Sequence, residues 1–474
     1  MTRSWNVAVL TSLFCSGCVI GPPYQRPVAP APVALKEMAG NDQWKMATPS
    51  DDLPKGKWWE VFGDPQLNRL EELVNINNQN LKQAEAQFRQ ARALVALNRA
   101  NYYPTISTTP AITQTNVGPN AGRGAAGSSQ SFSLPADVTW EPDLWGRVRL
   151  SVENAVSNAQ VSAADLENVR LSQQALLATD YFSLAADDMQ QTVLRDTIEA
   201  YQKNLTLTTD RFNGGVASRS DITLAQTQLS GARAQSTDLR VLRAQYEHAI
   251  ATLIGKPPAA FSIAPAPQTP LRLPVVPVGL PATLLERRPD IAVGERRVAE
   301  ANDQIGIARA AFFPSLVLSA TGGFSGTSIT NWFNWPSRMW AVGPQMSQTL
   351  FDAGRRRAVS ESATANYDGT VASYRQTTLS AFQEVEDNLA ALRILETEAQ
   401  QQQQATASAS ESLQLFTNRY VGGVDNYLQV ITAQTALLTN QRNDNDIQRR
   451  RMDASVLLVK AIGGGWDASQ LPRF

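Results

Sequence analysis

Proline is missing from residues 143–256 and from residues 345–471, stretches of 114 and 127 residues in a chain of 474. A proline inside a helix costs ~3 kcal/mol or more, so its absence over such lengths permits very long helices. Both stretches are rich in Ala, Leu, Gln, Glu and Arg, which favour helix. Each is interrupted near its middle by one glycine pair. The first reads Arg211-Phe212-Asn213-Gly214-Gly215-Val216, the second Arg419-Tyr420-Val421-Gly422-Gly423-Val424. Paired glycines break helices and allow the left-handed conformation that closes a helix C-terminus. The pattern predicts a long helix, a tight turn and a returning helix, twice over, with turns at about 212–217 and 420–425.

The two stretches are copies. An offset of 208 residues aligns the glycine pairs, Ala225-Gln226-Thr227 with Ala433-Gln434-Thr435, Ile254-Gly255 with Ile462-Gly463, and Gly146-Arg147 with Gly354-Arg355. Upstream, Ala100-Asn101-Tyr102-Tyr103-Pro104-Thr105 matches Ala310-Ala311-Phe312-Phe313-Pro314-Ser315 at an offset of 210. Solenoid repeats are ~20–50 residues long. This is instead a duplicated half-protein.

After each aromatic-aromatic-proline motif the period changes from helical to alternating. In Ser131–Trp140 one face carries Phe132, Leu134, Ala136, Val138 and Trp140, and the other Ser131, Ser133, Pro135, Asp137 and Thr139. Strands are expected at about 104–115, with Pro110 inside it, and at 131–141, 314–324 and 339–350. They pair as two hairpins, with loops at Val117–Ser129 and Ser325–Ser337. Ten residues of such alternation suit a strand of a membrane barrel. Four strands cannot close one, and open edges in lipid leave backbone groups unpaired. Several chains must therefore combine: a dimer gives eight strands, a trimer twelve.

Composition removes other classes of function. Lys+Arg is 42 and Asp+Glu is 43, a net charge of -1, which does not suit a nucleic-acid binder. There is one histidine, His248, and there are two cysteines, Cys15 and Cys18, both in the first 18 residues. That leaves no zinc ligand set, no plausible catalytic set and no disulfide framework. His248, among apolar residues, is expected to be structural. No catalytic, cofactor or metal site is expected.

Residues 1–17 read as an export signal: Arg3, a short apolar run Trp5–Phe14, then small residues before Cys18. Cys15-Ser16-Gly17-Cys18 resembles a bacterial lipobox, so Cys18 is expected to carry the lipid (palmitate) anchor. The proline-rich stretch Gly21–Pro32 follows as an extended tether.

Four further motifs carry a family resemblance. They are Gly21-Pro22-Pro23-Tyr24-Gln25-Arg26-Pro27; Trp58-Trp59 with Phe62-Gly63-Asp64-Pro65-Gln66-Leu67; Leu285-Glu286-Arg287-Arg288-Pro289-Asp290-Ile291; and Tyr420-Val421-Gly422-Gly423-Val424-Asp425-Asn426-Tyr427-Leu428. With the lipobox and the duplication, the chain resembles the TolC-like outer-membrane efflux channels, in the lipoprotein branch that serves RND-type tripartite pumps. The resemblance implies a mainly α fold with a membrane β-barrel, built from a duplicated helix–β-hairpin–helix–helix unit. It implies a homotrimer with a twelve-stranded barrel in the outer membrane, continued by twelve helical rods into the periplasm. It implies a passive duct for small molecules (drugs or other toxic compounds), and as partners a periplasmic adaptor, an inner-membrane RND transporter and outer-membrane lipid.

On this reading residues 18–66 are tether and equatorial segment, 67–256 the first repeat, 257–285 an equatorial linker, 286–465 the second repeat and 466–474 a tail. From Arg147 to Arg211 is 65 residues, or ~98 Å at ~1.5 Å per residue. The glycine pairs Gly214-Gly215 and Gly422-Gly423 thus mark the periplasmic tip. Three copies of a charged tip residue would form a ring, the usual basis of selectivity at a constriction. Arg219, Asp221 and Asp425 are the candidates, or else are solvated helix ends. Arg211 and Arg419, with Phe212 and Tyr420, either complement the helix dipole or hold neighbouring rods together. Glu286, Arg287, Arg288 and Asp290 are expected to cap and pair at a helix start. Rival readings are a type I protein-secretion channel, which the lipobox and Arg-Arg-Pro-Asp-Ile segment disfavour, and a periplasmic adaptor, which would have one helical hairpin rather than two.

Overall fold

The computed structural model describes residues 20–32, 34–38, 56–118, 120, 127–265, 273–274 and 286–474. The expected export signal, the expected lipid cysteine Cys18 and most of the expected 257–285 linker lie outside the described residues.

Among the described residues, seven α-helices and five strands carry the architecture. The helices are α1 (Pro65–Asn77), α2 (Gln79–Ala100), α3 (Arg147–Asn213), α4 (Arg219–Leu253), α5 (Pro289–Ala310), α6 (Arg355–Val421) and α7 (Tyr427–Ala461). The strands are β1 (Thr105–Thr108), β2 (Ala111–Val117), β3 (Gly127–Trp140), β4 (Ser315–Gly326) and β5 (Arg338–Ser347). The duplication is kept to the residue: α3 and α6 are both 67 residues long, α4 and α7 both 35. At ~1.5 Å per residue the long helices reach ~100 Å.

The short helices lie in series along the long ones. Near the tip, Tyr201 of α3 packs on Leu229 and Ala232 of α4. Nearer the sheet, Ala155 and Ala159 of α3 pack on Ala91 and Val95 of α2. The joint between α4 and α2 is made by Asn78, whose Oδ1 caps α2 at Leu81 and whose Nδ2 donates to the carbonyl of Leu253 at 2.8 Å. In the second repeat Arg288 makes the corresponding tie without a side-chain cap, donating from Nη1 to the carbonyl of Ala461 at 2.9 Å where α5 takes over from α7. Gly463 sits beside that joint at φ +96, and a Cβ there would lie 1.9 Å from the carbonyl oxygen of Arg287. Only glycine fits both the conformation and the space.

The main core gathers at this level. Trp58, Trp59 and Phe62 pack with Leu177, Phe182 and Val456. Trp58 donates from Nε1 to Gln174 at 3.1 Å, which satisfies its polar atom. Asp64 caps α1 and accepts from Tyr181 at 2.7 Å. Burying each such aromatic side chain contributes ~1.5–3 kcal/mol.

The strands form one antiparallel sheet in the order β1-β3-β4-β5, with β2 also on β3. The stretch 104–115 is two strands rather than one, because Thr109-Pro110 interrupts it and proline has no N–H to give to the ladder. Pairing of β3 with β4 joins the hairpins of the two repeats.

Candidate functional site

The sheet has two chemically distinct faces, fixed by register. Val138 lies between Ile106 and Ala320, Trp140 beside Leu318, and Ala320 beside Val342. Leu316 stands beside Met346, Leu318 beside Pro344 and Gly322 beside Trp340 on the same face. One apolar surface therefore runs across the whole sheet, and Trp340, Val342, Met346 and Ile106 are exposed on it. The other face holds Ser131, Ser133, Asp137, Thr139, Ser319, Thr321 and Gln345 in register. Its one carboxylate among the described strands, Asp137, accepts from Thr321 Oγ1 at 2.7 Å. The outer strands β1, β2 and β5 have a partner on one side only. Such a sheet suits lipid on one face and water on the other once its edges are closed. No described helix is long and apolar enough to cross a membrane.

At the far end of the rods, both glycine pairs close their helices with the same hydrogen bonds. Val216 N–H donates to the carbonyl of Arg211 at 2.8 Å and Gly215 N–H to that of Phe212 at 2.9 Å. Val424 and Gly423 repeat this on Arg419 and Tyr420 at 2.9 and 3.0 Å. This is the Schellman closure, and it needs one left-handed residue. In each pair only the second glycine supplies it, Gly215 at φ +76 and Gly423 at φ +77. Gly214 and Gly422 have φ of -79 and -71.

The tip charges are engaged within the chain. Asp221 stands at the third position of α4 in a capping box: its Oδ2 accepts from Ser218 N–H at 2.9 Å, and Ser218 Oγ accepts from Asp221 N–H at 3.3 Å. Asp425 takes a two-pronged hydrogen bond from Arg419, at 2.6 Å from Nε and 3.2 Å from Nη2. That guanidinium holds the Asp425 carboxyl below its usual range, and the carboxylate raises Arg419 in turn. Arg219 is exposed at the first residue of α4, where a cation opposes the helix dipole.

Arg211 reaches across the repeats. Its guanidinium lies 4.7 Å from the centre of the Tyr420 ring, and its Nη1 donates to the carbonyl of Val421 at 3.0 Å. Tyr420 in turn meets Tyr427 at 5.2 Å, over Ala225, Val430 and Ile431. The tip therefore has its own small core. Sequence reasoning named Arg211 and Tyr420 as tip residues, quoted Tyr427 only as part of a family motif, and did not name Ser218. Ser218 was legible as a residue three before an acid at a helix start. Phe212, Val216, Leu224, Val421, Val424 and Leu428 remain exposed around this core.

Arg288 is the buried charge of the joint. It is 7% exposed and pairs with Asp290 at 2.6 Å and Glu384 at 2.8 Å. The Arg-Arg-Pro-Asp-Ile segment is thus a structural clamp between α5, α6 and α7. Tyr24 of the tether hydrogen-bonds Glu295 of α5. Among the described residues no group of three or more His, Cys, Asp or Glu side chains is placed to hold a metal ion.

The family model described as outer membrane efflux protein matches the chain twice, over residues 71–256 and 280–464. A probable efflux pump outer membrane protein, TtgC of Pseudomonas putida, is 31% identical over 475 residues, covering 98% of this chain and 96% of its own length. The outer membrane protein OprJ of Pseudomonas aeruginosa is 31% identical over 466 residues, covering 97% and 95%. Among solved structures, the outer-membrane channel OprN superposes with a TM-score of 0.88 at 27% identity, over 95% of this chain and 100% of that one.

Proposed function

The chain belongs to the outer membrane efflux protein family, a family of channels rather than enzymes, and on that premise we propose that three copies form one duct across the outer membrane and periplasm. The observation that carries this reading is the amphipathic sheet with unpaired outer strands. Because β1 and β2 lie end to end along one edge of β3, each sheet is four strands wide, and closing three such sheets edge to edge removes every open edge and gives a barrel of twelve strands. The apolar face meets lipid, and the polar face with Asp137 lines the lumen. The long rods continue the duct, and both glycine turns lie at its inner end.

The duct is passive. Drugs or other toxic small molecules enter from a periplasmic adaptor and an RND-type transporter in the inner membrane, which supplies the energy. The exposed apolar residues around the tip core support docking of a helical partner there. Cys18 anchors the mature chain through its acyl group. At the tip Arg219, Asp221 and Asp425 lie near the three-fold axis. Their field is muted, because Arg419 neutralises Asp425 and Asp221 is committed to its helix cap.

The test is the native mass of the detergent-extracted protein together with mass spectrometry of its N-terminus. A trimer whose mature chain begins at an acylated Cys18 is expected. A water-soluble monomer, or an unmodified chain beginning elsewhere, overturns the reading.

A further inference from the structure

The loop between β4 and β5 folds back on the apolar face of the sheet. Trp332 lies 5.6 Å from Phe132 and stacks on Phe333 at 4.8 Å, and Phe333 meets Phe324 at 5.9 Å. Trp335 is left exposed, and the Arg338 guanidinium lies over it, 4.3 Å from the ring centre. Register sets Arg338 opposite Phe324 on β4, on the face that also carries Trp340, Val342 and Met346. So a cation stands at the edge of the lipid-facing surface, between two tryptophans. The helices leave the sheet at its other end, which makes this the outer rim.

Nothing in the chain's own outer barrel neutralises this charge. Residues 104–136 and 312–351 contain two arginines, Arg123 and Arg338, and no aspartate or glutamate. Arg123 lies outside the described residues. Any neighbouring copy brings the same two segments, so closing the barrel adds no carboxylate either. Asp137 is on the opposite face, three pairs further in at Thr321. An arginine facing lipid costs about 2–4 kcal/mol at the bilayer midplane but little at the interface, where tryptophans also gather. Arg338 Nη1 donates weakly to the Trp335 carbonyl at 3.4 Å, and the remaining N–H groups of the stacked guanidinium suit the oxygens of a phosphate.

We propose that Arg338, with Trp335 and Trp340, forms a site for the phosphate of an outer-leaflet lipid. The arginine holds the phosphate, and the two indoles flank the start of the acyl region. Three copies around the barrel would fix a ring of lipids at the outer rim. The proposal rests on the outer-membrane reading above and adds a named lipid contact to it.

The experiment compares the detergent-extracted wild-type protein with Arg338→Gln, Arg338→Lys and Lys203→Gln, the last an exposed residue of α3. Each is equilibrated with lipid A or with dephosphorylated lipid A, and bound lipid is counted by native mass spectrometry. The wild type and Lys203→Gln are expected to favour the phosphorylated lipid by about tenfold, the low end of the scale of one charge-assisted hydrogen bond. Arg338→Gln removes that preference and Arg338→Lys keeps part of it, with the assembly mass unchanged throughout. An unaltered preference in Arg338→Gln, or none in the wild type, overturns the site. A wild-type protein that stays monomeric in water overturns the membrane reading itself, and the site with it.

Discussion

Arg211 and Val421 are 210 positions apart in sequence and joined by a 3.0 Å hydrogen bond, from the arginine Nη1 to the valine carbonyl. The bond ties the turn of the first repeat to the turn of the second. It also uses an acceptor that α6 would otherwise leave open, since the last carbonyls of a helix have no partner within it. Arg211→Gln is expected to separate the two turns and raise the single-channel conductance of the resting duct in planar bilayers, with the trimer intact. An unchanged conductance would leave Arg211 with its helix-dipole role alone.

The glycines within each pair are not equivalent. Gly215→Ala and Gly423→Ala each place a Cβ on a left-handed residue and should cost about 1 kcal/mol or more. Gly214→Ala and Gly422→Ala sit at ordinary φ, with the nearest atoms 3.5 and 3.4 Å from the new Cβ, and should be near neutral. Thermal melts of the four variants in detergent decide between these outcomes. Equal losses within a pair would mean that the turn geometry is wrong.

Arg288→Met should destabilise the joint between α5 and α7 by about 1–3 kcal/mol, because the Ala461 carbonyl loses its donor in a buried place. The effect should appear in urea unfolding and not in conductance. A loss below a few tenths of a kcal/mol would show that the clamp is dispensable.

The two tip carboxylates are expected to differ. Asp221→Ala removes the acid half of the capping box, leaving Ser218 N–H without its acceptor, and should cost up to about 1 kcal/mol of stability. Asp425→Ala frees Arg419, and its effect should be electrical: a lower cation preference in reversal-potential measurements, weaker at ~0.15 M salt, where the Debye length is ~8 Å. If a variant carrying both Asp221→Ala and Asp425→Ala keeps the wild-type selectivity, both carboxylates face away from the pore.

Between α3 and α7, burial pushes Asp180 and Asp453 up to about 6, and Asp453 adds its charge to the rise at Asp180. For a carboxyl raised in the folded state, the stabilising contribution is full below the ordinary value near 3.8 and is lost as pH rises through about 6. The melting temperature should therefore fall between pH 4 and pH 6 by this contribution, and Asp453→Asn should flatten that slope. A slope identical in the variant would assign it to other groups, such as Asp303, which burial pushes to about 7.

The sequence alone carried the duplication, the two long rods, the position of each turn and the alternation of the strands. All of these rest on local rules. Proline forbids, glycine permits, and a period of two or 3.6 shows within ten residues. The 208-residue offset seen in short motifs reappears in the bounds of the rods, from Arg147 and Arg355 to Asn213 and Val421. Tertiary structure alone decided what each polar group does. Arg288 could be read from the sequence as a cap or an ion pair, yet its carbonyl partner at Ala461 lies 173 residues away. Asp221 and Asp425 looked alike beside their glycine pairs, but Ser218 takes one and Arg419 the other. The same holds for the pairing of β3 with β4, which places Asp137 beside Thr321. Contacts at such separations follow from how whole helices and strands pack, and no local pattern fixes that.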